Sequence, residues 1–249
     1  MLSEYRRRPE AQAVAKRPRV GKSVVNTLGS DICNGFFGDS EILPNESDLC
    51  IQYGVSRTVI RETLNVVESK GLIKRKSRVG TRICPQDDWN ILDEQVLNWL
   101  GAAIFKTNIL ESVLEARRLI EPFAAELAAE RASIHEIAAL ETAWQAMADA
   151  GHDVELFSKA DMQFHKLLLK ASHNRVFQQL EYSFQAAIRH SIQTTAKVAD
   201  SLDDAVETHF ALVEALRMRD KQAAKLAVDK MLDLSARDIA KASVTRGKK

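Results

Sequence analysis

Between residues 87 and 246 the chain contains two glycines, Gly101 and Gly151, and one proline, Pro122. Sheets and loop-rich folds need frequent turn residues, so so long a stretch without them has to fold as helices joined by short connections. Apolar residues recur at three- and four-residue spacing and predict helices over 108–131, 133–149, 153–171, 175–196, 203–219 and 220–242. The breaks fall at Gly151, at His173 and Asn174, and in the polar stretch Ala199 to Asp204. Short turns make antiparallel neighbours, hence an all-α antiparallel bundle.

The first third has a different texture and a different charge. Residues 1–86 carry 15 Lys plus Arg against 9 Asp plus Glu, a balance of +6, whereas residues 87–249 carry 20 against 25, a balance of −5. The total of +1 conceals this split, which predicts a polyanion-binding head on a body with another task. The basic residues are not laid along an amphipathic helix with a bulky apolar face, which disfavours a membrane surface and favours nucleic acid. No apolar run approaches a membrane span, and MLSEYRRRPEAQAVAKRPRVGK has no apolar core for a signal peptide. Cys33, Cys50 and Cys84 form no CxxC pair and read as free thiols, so the expected location is the cytoplasm.

Within the head the pattern is helix, helix, helix, hairpin. Val24, Val25, Leu28 and Ile32 mark a helix from Lys22 to Gly35, and Pro44 is expected to start a second that stops at Gly54. Ser56 has the place of an N-cap, with Val55 and Ile60 as a hydrophobic staple. Ile60, Leu64 and Val67 form a buried stripe, and Gly71 follows as a C′ residue. With that stripe inward, Arg57, Thr58 and Arg61 lie outward on the first turns, where a recognition helix touches bases and phosphates. A guanidinium fork suits a guanine edge or a phosphate, and Ser56 and Thr58 can donate to phosphate. The bland reading, solvated arginines beside Glu62, stands next to this one. LIKRK and TRIC then form two strands of a basic wing.

LPNESDLCIQYGVSRTVIRETLNVVESKGLIKRKSRVGT resembles the winged helix-turn-helix of GntR-type bacterial transcription regulators, over residues 22–84. The resemblance implies DNA contacts from Ser56, Arg57, Thr58 and Arg61, and a wing tip, here Arg78 to Gly80, entering the minor groove. Ser47 stands where many members carry a DNA-touching arginine, and Arg78-Val79 replaces a glycine-containing tip. The domain plan is a basic arm over 1–21, the winged helix-turn-helix over 22–86, a connection over 87–107, the all-α domain over 108–242 and a basic tail over 243–249. The connection, WNILDEQVLNWLG, is expected to form a short helix capped by Asp93, its tryptophans docking the two domains.

In the bundle, KADMQFHKLLL puts Asp161 and His165 at i and i+4 on one helix face, so that both reach one metal ion. His209, in ETHFALVEAL, adds a third ligand from a later helix. A hydrogen-bonded core histidine is the commoner fate of such residues. Arg117, in EARRLIEP, lies close to a buried stripe of Ile120, Phe123 and Leu127 while Arg118 points outward. A bundle-interior arginine needs an anion, either Glu121 at i+4 or the carboxylate of an incoming ligand.

This half resembles the FCD ligand-binding domain of the FadR subgroup, on the EARRLIEPFAAELAAERA segment and the D-x-x-x-H, Asn174 and later His spacing. The resemblance implies a divalent metal, zinc, nickel or manganese, held by Asp161, His165 and His209. The family's last histidine has no counterpart; Met231 stands there. It also implies that Arg117 faces a carboxylate effector, and the junction resembles the members that sense sugar acids, which implies an aldonate or related hydroxy acid. The expected protein is a homodimeric regulator, in the commoner case a repressor, binding a double-stranded operator and released by its effector. The alternative is a metal-dependent bundle enzyme or metal sensor using Asp161, His165 and His209. Against an enzyme stand the missing fourth ligand, the lack of a second carboxylate for acid–base work and a DNA-binding head that catalysis does not require.

Overall fold

The computed structural model describes residues 18–38, 42–76, 80–198 and 201–246, and divides into two units, Met1–Gly101 and Ala102–Lys249. Most of the basic arm, Arg78 in the wing tip and the end of the tail lie outside the described residues.

The first unit contains α1 (Pro18–Cys33), α2 (Glu46–Tyr53), α3 (Arg57–Ser69), a hairpin of β1 (Ile73–Lys76) and β2 (Gly80–Ile83), and α4 (Glu94–Leu100). The strands pair antiparallel, Ile73 opposite Ile83 and Lys76 opposite Gly80, and Ile42 adds a single bridge to Arg82. α1 begins at Pro18, a residue suited to a first helical position because its missing N–H has no partner there. α2 begins at Glu46 rather than Pro44, because the Asn45 side chain accepts from the backbone N–H groups of Ser47 and Asp48. Ser56 caps α3 as expected, and Ile60, Leu64 and Val67 are fully buried with Leu28 and Leu49.

Two glycines have steric reasons. Gly71 follows the α3 C-terminus at φ +79°, and a Cβ there would lie 2.2 Å from the Asp88 carbonyl oxygen. Gly29 lies under the Trp99 ring, where a Cβ would come within 2.3 Å of the indole. That close approach seats α4 on α1. Trp99 also donates from Nε1 to Asn26 Oδ1 at 3.1 Å, and its carbonyl accepts from Asn34. Trp89 donates to the Cys84 carbonyl at 3.0 Å. The tryptophans expected to dock two domains therefore anchor the connection within the first unit. Asp93 caps α4, accepting from the Gln95 N–H.

The second unit is a bundle of α5 (Ile109–Arg131), α6 (Ile134–Asp149), α7 (Val154–Ala171), α8 (Arg175–Val198), α9 (Asp203–Arg217) and α10 (Lys221–Arg246), close to the expected spans. Ser133 and Glu136 form a reciprocal capping box on α6, and Asp153 caps α7. Gly151 and His173, both at φ +53°, mark two of the expected breaks. α5 packs against α7, α8, α9 and α10, so its inward face decides what the core contains. That face is Val113, Leu114, Arg117, Glu121, Ala124, Ala125 and Ala128, not the expected stripe: Phe123 is 49% exposed, and Ile120 and Leu127 are half-buried. Small alanines let four neighbours approach closely and push the larger apolar residues to the margin. No helix among the described residues is long and apolar enough to cross a membrane.

Gly29→Ala should force the Trp99 ring out of its seat and cost about 1–3 kcal/mol, the usual range for overpacking. Urea denaturation followed by tryptophan fluorescence measures it. An unshifted midpoint would contradict the packing of α4 on α1.

Candidate functional site

Two sites emerge, one in each unit. On the first, Ser56, Arg57, Thr58 and Arg61 all stand exposed at the N-terminal end of α3. Ser56 has a second task, its Oγ accepting from the Val59 N–H. The arginines are held from α2: Arg57 Nη2 donates to Ser47 Oγ at 3.2 Å, and Arg61 Nε to Glu46 Oε2 at 2.9 Å. Ser47, the departure noted in the sequence, is thus a hydrogen-bond partner of Arg57. Glu46 went unremarked, because a partner fifteen residues away leaves no mark in helical spacing. The Arg61 pair is open to water, its side chains 63% and 35% exposed, so it adds little stability and leaves the guanidinium available. In the wing, Lys74 pairs with Asp88, and Arg75 donates to Glu68 and to Asn65. Arg75 holds the Glu68 carboxyl below its ordinary value, chiefly through that side-chain hydrogen bond. Gly80 opens β2 at φ +107°, exposed.

The second site lies inside the bundle. Helical spacing on α7 points Asp161 and His165 the same way, and His209 meets them from α9. One ligating atom from each lies within 4.8 Å of the others, and all three residues are buried. His209 Nδ1 is 2.6 Å from the Ala205 carbonyl, which only accepts, so Nδ1 carries a proton. In a neutral ring its Nε2 then presents a lone pair, 3.1 Å from Asp161 Oδ1, with no hydrogen bond formed to it. His165 Nε2 lies 3.2 Å from the same oxygen, while its Nδ1 faces Glu121 Oε2 at 3.0 Å. A carboxylate that fixes one imidazole nitrogen and aims the other is the usual support for a histidine ligand. Converging acceptors of this kind need a cation between them, either a proton or a metal. The donor set fits a divalent metal: Asp161, His165 and His209 would hold it. Met231, 4% exposed, lines the same cavity, and its soft thioether adds no donor suited to that oxygen and nitrogen set.

Behind these residues lies a buried ion pair. Arg117 Nε donates to Glu121 Oε1 at 2.7 Å, both side chains 3% exposed or less. Arg117 Nη2 lies 3.1 Å from His165 Nε2 and 3.5 Å from Nδ1, in line with neither lone pair. Arg117 Nη1 has no hydrogen-bond partner. Burial opposes charge on the whole group, and the partners overcome it. Burial would raise the Glu121 carboxyl, but Arg117 and His165 bring it down to about 2. Asp161 is held well below the carboxylate range, since hydrogen bonds from His165 and His209 outweigh its burial. His165 is pushed up to about 9, because Glu121 and then Asp161 outweigh both its burial and the repulsion of Arg117. Arg118, as expected, is outward, on Asp233. The remaining wall includes Thr208, Ser235 and Asp238, which sequence spacing did not single out.

Residues 21–83 match the family described as bacterial regulatory proteins, gntR family, and residues 112–234 match the FCD domain. The chain is similar to the galactonate operon transcriptional repressor of Escherichia coli (strain K12), 33% identical over 215 residues that cover 86% of this chain and 94% of that protein. It is 30% identical over 192 residues to the putative L-lactate dehydrogenase operon regulatory protein of the same organism, covering 75% and 73%. With the HTH-type transcriptional repressor NanR of Salmonella newport (strain SL254) it shares 27% over 238 residues, covering 92% and 86%. A solved structure of Lar, described as controlling expression of the Listeria monocytogenes agr system, shares the fold at TM-score 0.57 and 17% identity, covering 91% of this chain and 98% of that one.

The raised His165 pKa fixes a sign for stability. Its folded value, about 9, exceeds the ordinary 6.5, so the ionic contribution is complete below pH 6.5 and is lost as pH rises towards 9. Metal-stripped protein should therefore melt at progressively lower temperature across that window, and His165→Gln should flatten the trend. A wild-type melting temperature that stays level or rises from pH 6.5 to 9 contradicts this charge arrangement.

Proposed function

The chain belongs to the gntR family of bacterial regulatory proteins, in the branch carrying an FCD domain, and from that premise we propose that it is a homodimeric repressor released from its operator by a small carboxylate bound beside Arg117. One observation carries the effector half of this reading. Arg117 is 3% exposed yet keeps Nη1 unsatisfied beside a convergence of ligating atoms, a cost that a bound anion removes. Relatives named for galactonate and L-lactate operons support a hydroxy acid.

Charge supports the same choice. With His165 protonated, Arg117 and His165 balance Glu121 and Asp161. A divalent zinc, nickel or manganese ion held by Asp161, His165 and His209 requires neutral imidazoles and would supply a Lewis-acidic anchor for ligand oxygens. Two positive charges then enter for one proton lost, and the surplus positive charge favours an anionic ligand. Arg117 orients that ligand's carboxylate through a bidentate fork.

Release follows from space. The cavity encloses about 40 Å³, enough for a water molecule or two. An organic acid enters only if the walls move, so the bound and unbound bundles differ, and an acid that prefers one arrangement shifts the population. On the DNA side one recognition helix reads few base pairs, and two copies on a palindromic site supply the rest.

The test uses an operator duplex selected from random sequence. Arg57→Ala and Arg61→Ala should each weaken binding by roughly 10- to 100-fold, the value of a bidentate base contact, with circular dichroism unchanged. Retained affinity overturns the recognition-helix assignment. Arg117→Ala alone would leave Glu121 buried without its partner, at about 3–5 kcal/mol. Arg117→Lys and the double variant Arg117→Leu/Glu121→Leu are therefore the informative changes. Both should bind the operator normally and no longer release it with acid; release at wild-type acid concentration sinks the Arg117 assignment.

A further inference from the structure

The cavity next to Asp161 has two chemically different ends. At one stand Asp161, His165 and His209. At the other, α10 brings Ser235 and Asp238 onto the face that also carries Met231, at offsets of four and seven residues, and α9 adds Thr208 beside His209. Asp238 is 7% exposed, unusually deep for a carboxylate in a cavity wall. Arg237 Nε at 3.8 Å and Lys241 Nζ at 3.9 Å keep it ionised, and both lie beyond hydrogen-bond length.

An ionised carboxylate repels the carboxylate of an acid and only accepts hydrogen bonds, so the part of the ligand that meets Asp238 has to donate. Hydroxyls and ammonium groups both donate. The charges decide between them: Asp238 and Asp204 are matched by Arg237, which lies 3.6 Å from Asp204, and by Lys241. This end has no surplus negative charge to hold an ammonium ion, and the Ser235 and Thr208 hydroxyls, which both donate and accept, complement other hydroxyls. We infer that the ligand is a polyhydroxylated acid and that Asp238, with Ser235, reads the hydroxyls remote from its carboxylate. The inference rests on the carboxylate reading of Arg117 and adds the specificity of the opposite wall.

A site built around hydroxyls rejects an analogue lacking them, because its own polar groups are then left unpaired. Calorimetric titration of the purified protein with six-carbon aldonates, 2-hydroxyhexanoate, hexanoate and norleucine tests this directly. Wild type should bind at least one aldonate tenfold or more tighter than 2-hydroxyhexanoate and hexanoate. Asp238→Asn and Ser235→Ala should each erase most of that ratio while changing 2-hydroxyhexanoate binding less than twofold. Ser235→Ala removes a single oxygen and keeps the test sound if Asp238→Asn misfolds. Equal binding of aldonates and 2-hydroxyhexanoate, preference for norleucine, or an unchanged ratio in both variants overturns the inference. Failure of the underlying reading looks different: Arg117→Lys then leaves every affinity unaltered, or no acid binds at all, and both assignments fall together.

Discussion

The bundle is organised around the buried charge of Arg117. A guanidinium taken out of water costs several kcal/mol unless it is paired and hydrogen-bonded, and Glu121, one helical turn on, supplies that partner. Glu121 then turns its second oxygen to His165, and His165 faces Asp161, which meets His209. Each group is tolerable in the interior only because the next one is there. Replacing the set with leucines would satisfy packing equally well, so stability alone does not account for it. What the set provides is a charge distribution that one proton more or less, or one bound ion, changes in sign.

The same helix explains where sequence reading succeeded and where it failed. Helix existence and length in residues 108–242 were legible because turn residues are nearly absent there, so six spans agree with the observed elements to within a few residues. The i and i+4 spacing likewise placed Asp161 and His165 on one face, and Arg117 was found through its nearness to an apolar stripe. The stripe itself was misassigned. Apolar bulk was taken as the mark of burial, whereas α5 buries Ala124, Ala125 and Ala128 and leaves Phe123 half outside. A helix with four neighbours selects for small side chains, a requirement set by packing partners that no local window contains. Glu46, Ser235 and Asp238 escaped for a related reason: their roles are defined across space.

In the DNA-binding unit the free protein holds its reading groups in exposed, weak contacts. Arg61 on Glu46 and Arg57 on Ser47 are close enough to limit the rotamers of two flexible side chains, yet wet enough to be exchanged for a base edge or phosphate at little cost. A buried partner would have competed with DNA; no partner would have left the full ordering entropy to be met on binding. The wing follows the same logic more strongly, since Arg75 is fixed by Glu68 and Asn65 and so sets the hairpin's position more than it offers a free cation.

Met231 alters the balance between the protein and whatever occupies the bundle. A site with four nitrogen and oxygen donors holds a metal by itself, and an effector then adds only a finishing contact. With Asp161, His165 and His209 alone, more of the coordination has to come from ligand oxygens or water, so on the reading proposed above ion and acid depend on one another. Linkage makes that dependence mutual: an acid that tightens the ion is tightened by it to the same degree. The small cavity adds to the effect, because the wall movement needed to admit an acid is a single event whose cost both guests share. A regulator built this way responds steeply to the pair and weakly to either alone, which suits a sensor that has to ignore the many simple carboxylates of a cell.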